Sequence, residues 1–263
     1  MISGERPATY LESSTSSYAA ATGNKPTFFG TSDAVFPHFA AGGGEWESVM
    51  VIVNLSDRLI PFQQQFRLPD GSPAELTFRS IPDGKMTTAT RTDGSLPPRG
   101  SINVLLTAPG NEPVKTGWIS LDYDTTLGRI GGYLMFRRRF GGSTYEALVP
   151  LGAYDDTSFY MPVDNLEGFV TAIAIANPAS PATRIRLTLI DLQGATVGST
   201  EIALPGNGQS AFVLADRFPL AAGRVGTILV ESSTNRMSAV GIRFNPAGAF
   251  SSVPIMNWSG MLR

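Results

Sequence analysis

The sequence predicts an all-β protein: two tandem antiparallel β-sandwich (Ig-like) domains arising from an internal duplication, with an extended N-terminal arm. Three observations lead there. Short runs alternate polar and apolar residues with a period of two, as in Arg184-Ile185-Arg186-Leu187-Thr188-Leu189-Ile190, the pattern of a half-buried strand. Turn chemistry recurs at short intervals, in Pro69-Asp70-Gly71, Pro82-Asp83-Gly84, Thr92-Asp93-Gly94 and Pro205-Gly206-Asn207-Gly208. The chain also resembles itself. Alternating βαβ units are absent, which excludes a dinucleotide-type fold, and the one helical stretch expected is a turn or two near Leu214–Leu220.

Residues 1–34 are rich in Ser, Thr, Ala and Gly and lack a long apolar pattern, so they read as an extended arm. The first sandwich is expected over 35–152, a short polar linker over 153–158, the second sandwich over 159–257 and a C-terminal tail over 258–263. In the first unit Val49-Met50-Val51-Ile52-Val53-Asn54 is a strand ended by Asn. Its counterpart is Ala172-Ile173-Ala174-Ile175-Ala176-Asn177. Gln63–Leu68 matches the alternating run at Arg184, Trp118–Leu121 matches Thr227–Val230, and Tyr133–Arg137 and Val240–Phe244 open C-terminal hairpins.

The offsets between partners locate the differences. Asn54 to Asn177 and Gly71 to Gly194 are both 123 positions, while Leu96 to Leu204 and Phe136 to Phe244 are both 108. The first unit therefore carries 15 extra residues between Gly71 and Leu96, an insertion at about Ala74–Ser95. Pro150 to Pro254 is 104 positions, so four more lie between Phe136 and Pro150. Insertions in β domains sit on surface loops, where function tends to be grafted.

Phe36-Pro37-His38-Phe39-Ala40-Ala41-Gly42-Gly43-Gly44, the Asn54 strand, Pro69-Asp70-Gly71 and Val149-Pro150 resemble tandem β-sandwich repeats of large, predicted extracellular proteins from environmental bacteria. The second copy is similar through Val163-Asp164-Asn165, Ile175-Ala176-Asn177-Pro178, Leu204-Pro205, Gly241-Ile242-Arg243-Phe244 and Val253-Pro254. The resemblance spans about residues 35–257. It implies secretion and a scaffold or adhesive role, and it carries over no catalytic residue.

Composition narrows the chemistry further. With 20 Lys+Arg against 22 Asp+Glu, the net charge of −2 gives no reason to expect nucleic acid as a partner. No run reaches the ~18 apolar residues of a membrane span. The opening Met1-Ile2-Ser3-Gly4-Glu5-Arg6-Pro7 lacks the basic and apolar regions of a signal peptide, so either the chain stays inside the cell or it is a mature form. Zero Cys removes disulfides and thiolate chemistry, and a single His, His38, removes multi-His metal sites. No Gly-x-Ser-x-Gly elbow accompanies His38, which is read as structural. No cofactor is expected.

The acidic groups Asp122/Asp124, Asp155/Asp156 and Asp164/Glu167 read as solvated loop acids, with calcium at Asp155, Asp156 and Asp164 as a minor hypothesis. In Arg137-Arg138-Arg139, Arg137 and Arg139 share a strand face, suited to edge protection or a subunit contact. Trp118 is expected in the core. Trp46 and Trp258 are expected to be exposed and are candidate ligand contacts. Asn54-Leu55-Ser56 and Asn257-Trp258-Ser259 match the N-glycosylation pattern.

The expected function is a non-enzymatic extracellular structural protein that self-associates, as a filament or surface-layer subunit. Tyr10, Leu11, Tyr18, Phe28 and Phe29 of the arm would complete a sheet edge on another copy, with Arg137 and Arg139 as further self-association candidates. The alternative is a carbohydrate- or surface-binding adhesion module, with polysaccharide as partner, using the insertion and Trp46. An enzyme of polysaccharide metabolism comes third and would need a facing pair of carboxylates.

Overall fold

The computed structural model describes residues 17–21, 34–80, 84–107, 112–153, 157–234 and 236–257. A short strand β1 (Ser17–Ala20) comes first. It is followed by β2 (Ala34–Ala41), β3 (Trp46–Asn54), β4 (Ile60–Arg67), β5 (Leu76–Ser80), β6 (Met86–Ala89) and β7 (Arg91–Leu96). Then come β8 (Ser101–Thr107), β9 (Lys115–Tyr123), β10 (Ile130–Phe140), β11 (Ser143–Pro150) and β12 (Gly152–Ala153). The remainder holds β13 (Ser158–Asp164), β14 (Val170–Ala176), β15 (Thr183–Ile190), β16 (Thr196–Leu204) and β17 (Gln209–Val213). One helical turn α1 (Leu214–Arg217) and a 3-10 turn (Pro219–Ala221) follow, where the sequence predicts helix. The chain closes with β18 (Val225–Ser232), β19 (Ser238–Phe244) and β20 (Phe250–Val253).

The protein is all-β, and its described residues build four antiparallel sheets. Their orders are β1-β7-β4-β9-β2-β12, β11-β10-β3-β8-β5-β6, β13-β18-β15-β16 and β17-β14-β19-β20. Read from the other end, β16-β15-β18-β13 repeats the order β7-β4-β9-β2, and β20-β19-β14-β17 repeats β11-β10-β3-β8. The same eight-strand arrangement thus occurs twice. The second strand pairs the fifth and the third pairs the sixth, as in an immunoglobulin sandwich. The first and seventh strands depart from that order: β2 pairs β9 and β10 pairs β3, so these strands have exchanged sheets.

Local chemistry repeats with the order. Asn54 Nδ2 donates to the carbonyls of Arg58 (2.6 Å), Leu96 (3.1 Å) and Pro97 (3.0 Å), and its Oδ1 accepts from Ser56 N. Asn177 Nδ2 donates to Pro181 O (2.9 Å) and Pro205 O (3.0 Å), and its Oδ1 accepts from Ala179 N. Each amide ties the end of a strand to the next turn and to a distant loop. Gly117 and Gly226 repeat as well: a Cβ at either would collide with a backbone carbonyl, that of Arg67 or Ile190, so the close approach of β9 to β4 and of β18 to β15 requires glycine.

Besides β1 and β12, which extend its first sheet, two features distinguish the first set. The β5–β6 hairpin, within the 15-residue excess, adds to the edge of β8. The β10–β11 hairpin runs on past Phe136 through Arg137, Arg138, Arg139 and Phe140. In the second set α1 and its 3-10 turn take the covering role. Leu214, Phe218 and Ala221 are buried there, and Leu220 approaches Gly198 so closely that a Cβ would lie 2.7 Å from its Cδ1.

The inward faces make two cores. The first gathers Met50, Ile52, Phe62, Phe66, Leu134 and Phe136, and the second Ile173, Ile175, Leu187, Leu189, Ile228 and Val230. Each such side chain contributes about 1.5–3 kcal/mol on burial. The first core continues into the second half through Ala174, Val240, Ile242 and Phe250. Strand β2 is buried on both faces for this reason, one toward its own core and one toward β14 and β19. The turn at Pro69–Gly71 abuts that at Gly206–Gly208, and Trp118, expected in the core and 1% exposed, donates from its indole N–H to Asn207 O at 2.9 Å.

Candidate functional site

The N-terminal residues that the structure describes form β1, which lies along the edge of β7. Ser17 pairs with Ser95, Tyr18 with Gly94, Ala19 with Asp93 and Ala20 with Thr92. Thr92-Asp93-Gly94 therefore forms part of a strand, where the sequence predicts a turn. Tyr18 stands opposite Gly94, with its ring edge-on to Phe78 (centroids 5.8 Å apart) and tilted against Phe62 (6.3 Å). Phe62 belongs to β4 and Phe78 to the inserted β5, and both are 1% exposed. Burial pushes the Tyr18 hydroxyl pKa upward, and its oxygen is buried with no hydrogen-bond partner among the described residues.

At the exit of this seat, Ala21 N donates to Arg91 O at 3.0 Å. An open groove of about 730 Å³ begins there, between β4 and the β6–β7 connection. Its polar lining includes Gln65, Arg67, Glu75 and Thr88. Arg67 is held by Gly71 O and Gln65 Oε1, both at 2.9 Å. The groove is flanked by the insertion, the loop region that the sequence singles out.

Arg137 and Arg139 do share a face, and both donate to Glu47 Oε1 at 2.7 Å. Arg137 also reaches Glu146, and Arg138 reaches Glu45 Oε2 at 2.9 Å while lying over the rings of Trp46 and Phe140. The run is thus compensated within its own sheet by three glutamates on β3, β11 and the turn before β3.

Trp46 is half-buried, stacked on Phe136 at 5.9 Å and Phe250 at 5.8 Å, where the sequence predicts an exposed side chain. The stack explains the difference: Phe250 comes from the second half and covers the indole. His38 lies beside it, edge-on to Phe136 at 5.5 Å, with Nδ1 3.0 Å from Gln209 Nε2. Gln209 donates to Pro37 O (2.6 Å) and Gly117 O (3.0 Å), bolting β17 to the first half. Burial lowers the His38 pKa to about 4, so the ring is neutral at physiological pH.

Asp164 is engaged by Arg243 Nε (2.9 Å) and Nη2 (2.6 Å), and that guanidinium sits over the Phe169 ring at 3.5 Å. Asp124 caps its own turn through Thr126. The Asn54 sequon has no free amide, because Asn54 is 1% exposed and its nitrogen is spent on three carbonyls. Tyr10, Leu11, Phe28, Phe29, Asp155, Asp156 and Trp258 lie outside the described residues.

Sequence reasoning named Tyr18 but missed its seat of Gly94, Phe62 and Phe78. The available signal was a glycine inside a stretch that continues an alternating pattern. No family model, no curated protein and no solved structure matches this chain.

Proposed function

We propose that the chain is a pair of duplicated β-sandwich domains with an extended arm, acting as a non-enzymatic extracellular structural protein that self-associates by strand addition. In this reading the β1 strand of one copy pairs with β7 of the next and inserts Tyr18 between Phe62 and Phe78. The carrying observation is that β1 already occupies this edge, in register and with its one large side chain seated. A strand supplied by a neighbour would make the same bonds, so exchanging partners leaves the contact chemistry unchanged.

Twelve residues, 22–33, separate the described arm from β2. Fully extended they span at most about 40 Å. A head-to-tail contact of this kind need not close and extends into a filament. The broad packing between the two halves supports a stiff subunit, and resemblance to repeats of extracellular proteins supports the location. Light scattering of the full chain over a concentration series tests the reading: growth in mass that is lost with Tyr18→Ala is expected, and a monomer at every concentration would reject it.

The groove beside the insertion favours a second reading, a polysaccharide- or surface-binding module. Saturable binding of a soluble glycan, weakened by Arg67→Ala with no self-association, would replace the first reading with the second.

A further inference from the structure

We infer that Gly94 makes β7, and not its counterpart β16, the edge that accepts the arm strand of a second copy. The inference rests on the strand-addition reading and specifies its receptor. Both edges occupy the same place in the repeated topology, and β16 pairs only with β15 among the described residues. Backbone availability therefore does not discriminate between them. Nor does charge: Asp93 on β7 corresponds to Glu201 on β16, each bound to a neighbouring side chain, Gln63 in one case and Arg186 in the other.

The discrimination is steric. Register equates Gly94, opposite Phe62, with Ile202, opposite Ile185, just as Leu96 opposite Ile60 corresponds to Leu204 opposite Thr183. Ile202 points its side chain onto the second core, filling from its own strand the place that Tyr18 fills beside β7. The walls differ too. Phe62 is replaced by Ile185, and Phe78 has no counterpart because the second set lacks the β5–β6 hairpin. Around Gly198, Leu220 and Phe218 already cover the start of β16. A tyrosine arriving at β16 would meet a filled site and no aromatic slot. The insertion and the missing side chain at Gly94 thus form one device, and they give an assembly a single polarity: the arm of each copy finds the first half of the next.

The test uses the full chain and three variants: Gly94→Ile, Gly94→Ile/Ile202→Gly and Tyr18→Gly. Amide exchange of the Arg91–Leu96 and Thr196–Leu204 segments reports which edge is covered, exchange in Val170–Ala176 reports folding, and light scattering reports assembly. Gly94→Ile is expected to speed exchange in Arg91–Leu96 at least tenfold and abolish assembly, and the double variant, whose opened site still lacks the aromatic slot, to give Thr196–Leu204 a partial gain of protection. Wild-type protection and assembly in Gly94→Ile would overturn the role of Gly94, and no gain of protection on Thr196–Leu204 in the double variant would overturn that of Ile202. Should Gly94→Ile not fold, Tyr18→Gly decides from the strand side: faster exchange in Arg91–Leu96 supports the seat, and unchanged exchange overturns it. Failure of self-association itself appears differently, as a wild-type monomer whose Arg91–Leu96 amides are protected all the same.

Discussion

Asn54 and Asn177, 123 positions apart, form the same clamp, each donating to the carbonyl four residues ahead and to the loop that precedes the fifth strand of its set. Both are essentially fully buried. Replacing either by Ala removes these clamp bonds, each worth about 0.5–1.5 kcal/mol net. Asn54→Ala and Asn177→Ala are each expected to lower stability by about 2–4 kcal/mol in urea unfolding, with an unchanged m-value.

Gly117 and Gly226 offer a second paired test. A Cβ at either position runs into backbone, Arg67 O or Ile190 O, and backbone yields less readily than a side-chain tip. Alanine at each is expected to cost at least about 2 kcal/mol, in the range of overpacking. Gly141→Ala, at a hairpin tip where nothing lies within 4 Å, isolates the cost of its positive φ of 59° and is expected to be milder.

His38 predicts a pH dependence. Its pKa falls from the ordinary 6.5 to about 4 on burial. Between these values the unfolded chain binds the proton that the folded chain refuses, so stability rises with pH from about 4 to 6.5 and is flat in this respect above. The full span is worth on the order of 3 kcal/mol. In His38→Gln this part of the pH profile should vanish in denaturant titrations, and an unaltered profile would assign the slope to other groups.

The glutamate beneath the arginine run should matter more than a typical surface partner. Glu47, with its side chain 12% exposed, serves both Arg137 and Arg139, whereas Asp57 and Arg99 pair at 78% and 80% exposure. Glu47→Gln is expected to cost about 1–2 kcal/mol and Asp57→Asn under about 0.5 kcal/mol. Thermal melts at low and high salt would separate them, the first changing little with salt.

The parts of the fold legible in the sequence are those where one residue type is required locally. Asn54 and Asn177 end strands with a side-chain clamp, and Gly117 and Gly226 permit a close approach, so each pair stands at matching places in the two sets, 123 and 109 positions apart. The offset change between Gly71 and Leu96 likewise located the inserted hairpin. Pairings set by tertiary contact were not legible. Trp46 read as exposed because its cover, Phe250, lies in the other half of the chain. His38 meets Gln209, 171 residues away. Thr92-Asp93-Gly94 has the composition of a turn, and only Tyr18, from the arm, shows why a strand carries it. The Arg137 and Arg139 partners had a faint signal: Glu45 and Glu47 alternate just ahead of an apolar strand, in step with the arginines.

The most direct test of the account is the mass of the full chain against that of a version lacking residues 1–21, by light scattering with electron microscopy of the same samples. The account predicts concentration-dependent polymers from the full chain and folded monomers from the shortened one. Equal assembly of the two, or monomers from both, would contradict strand addition through the arm.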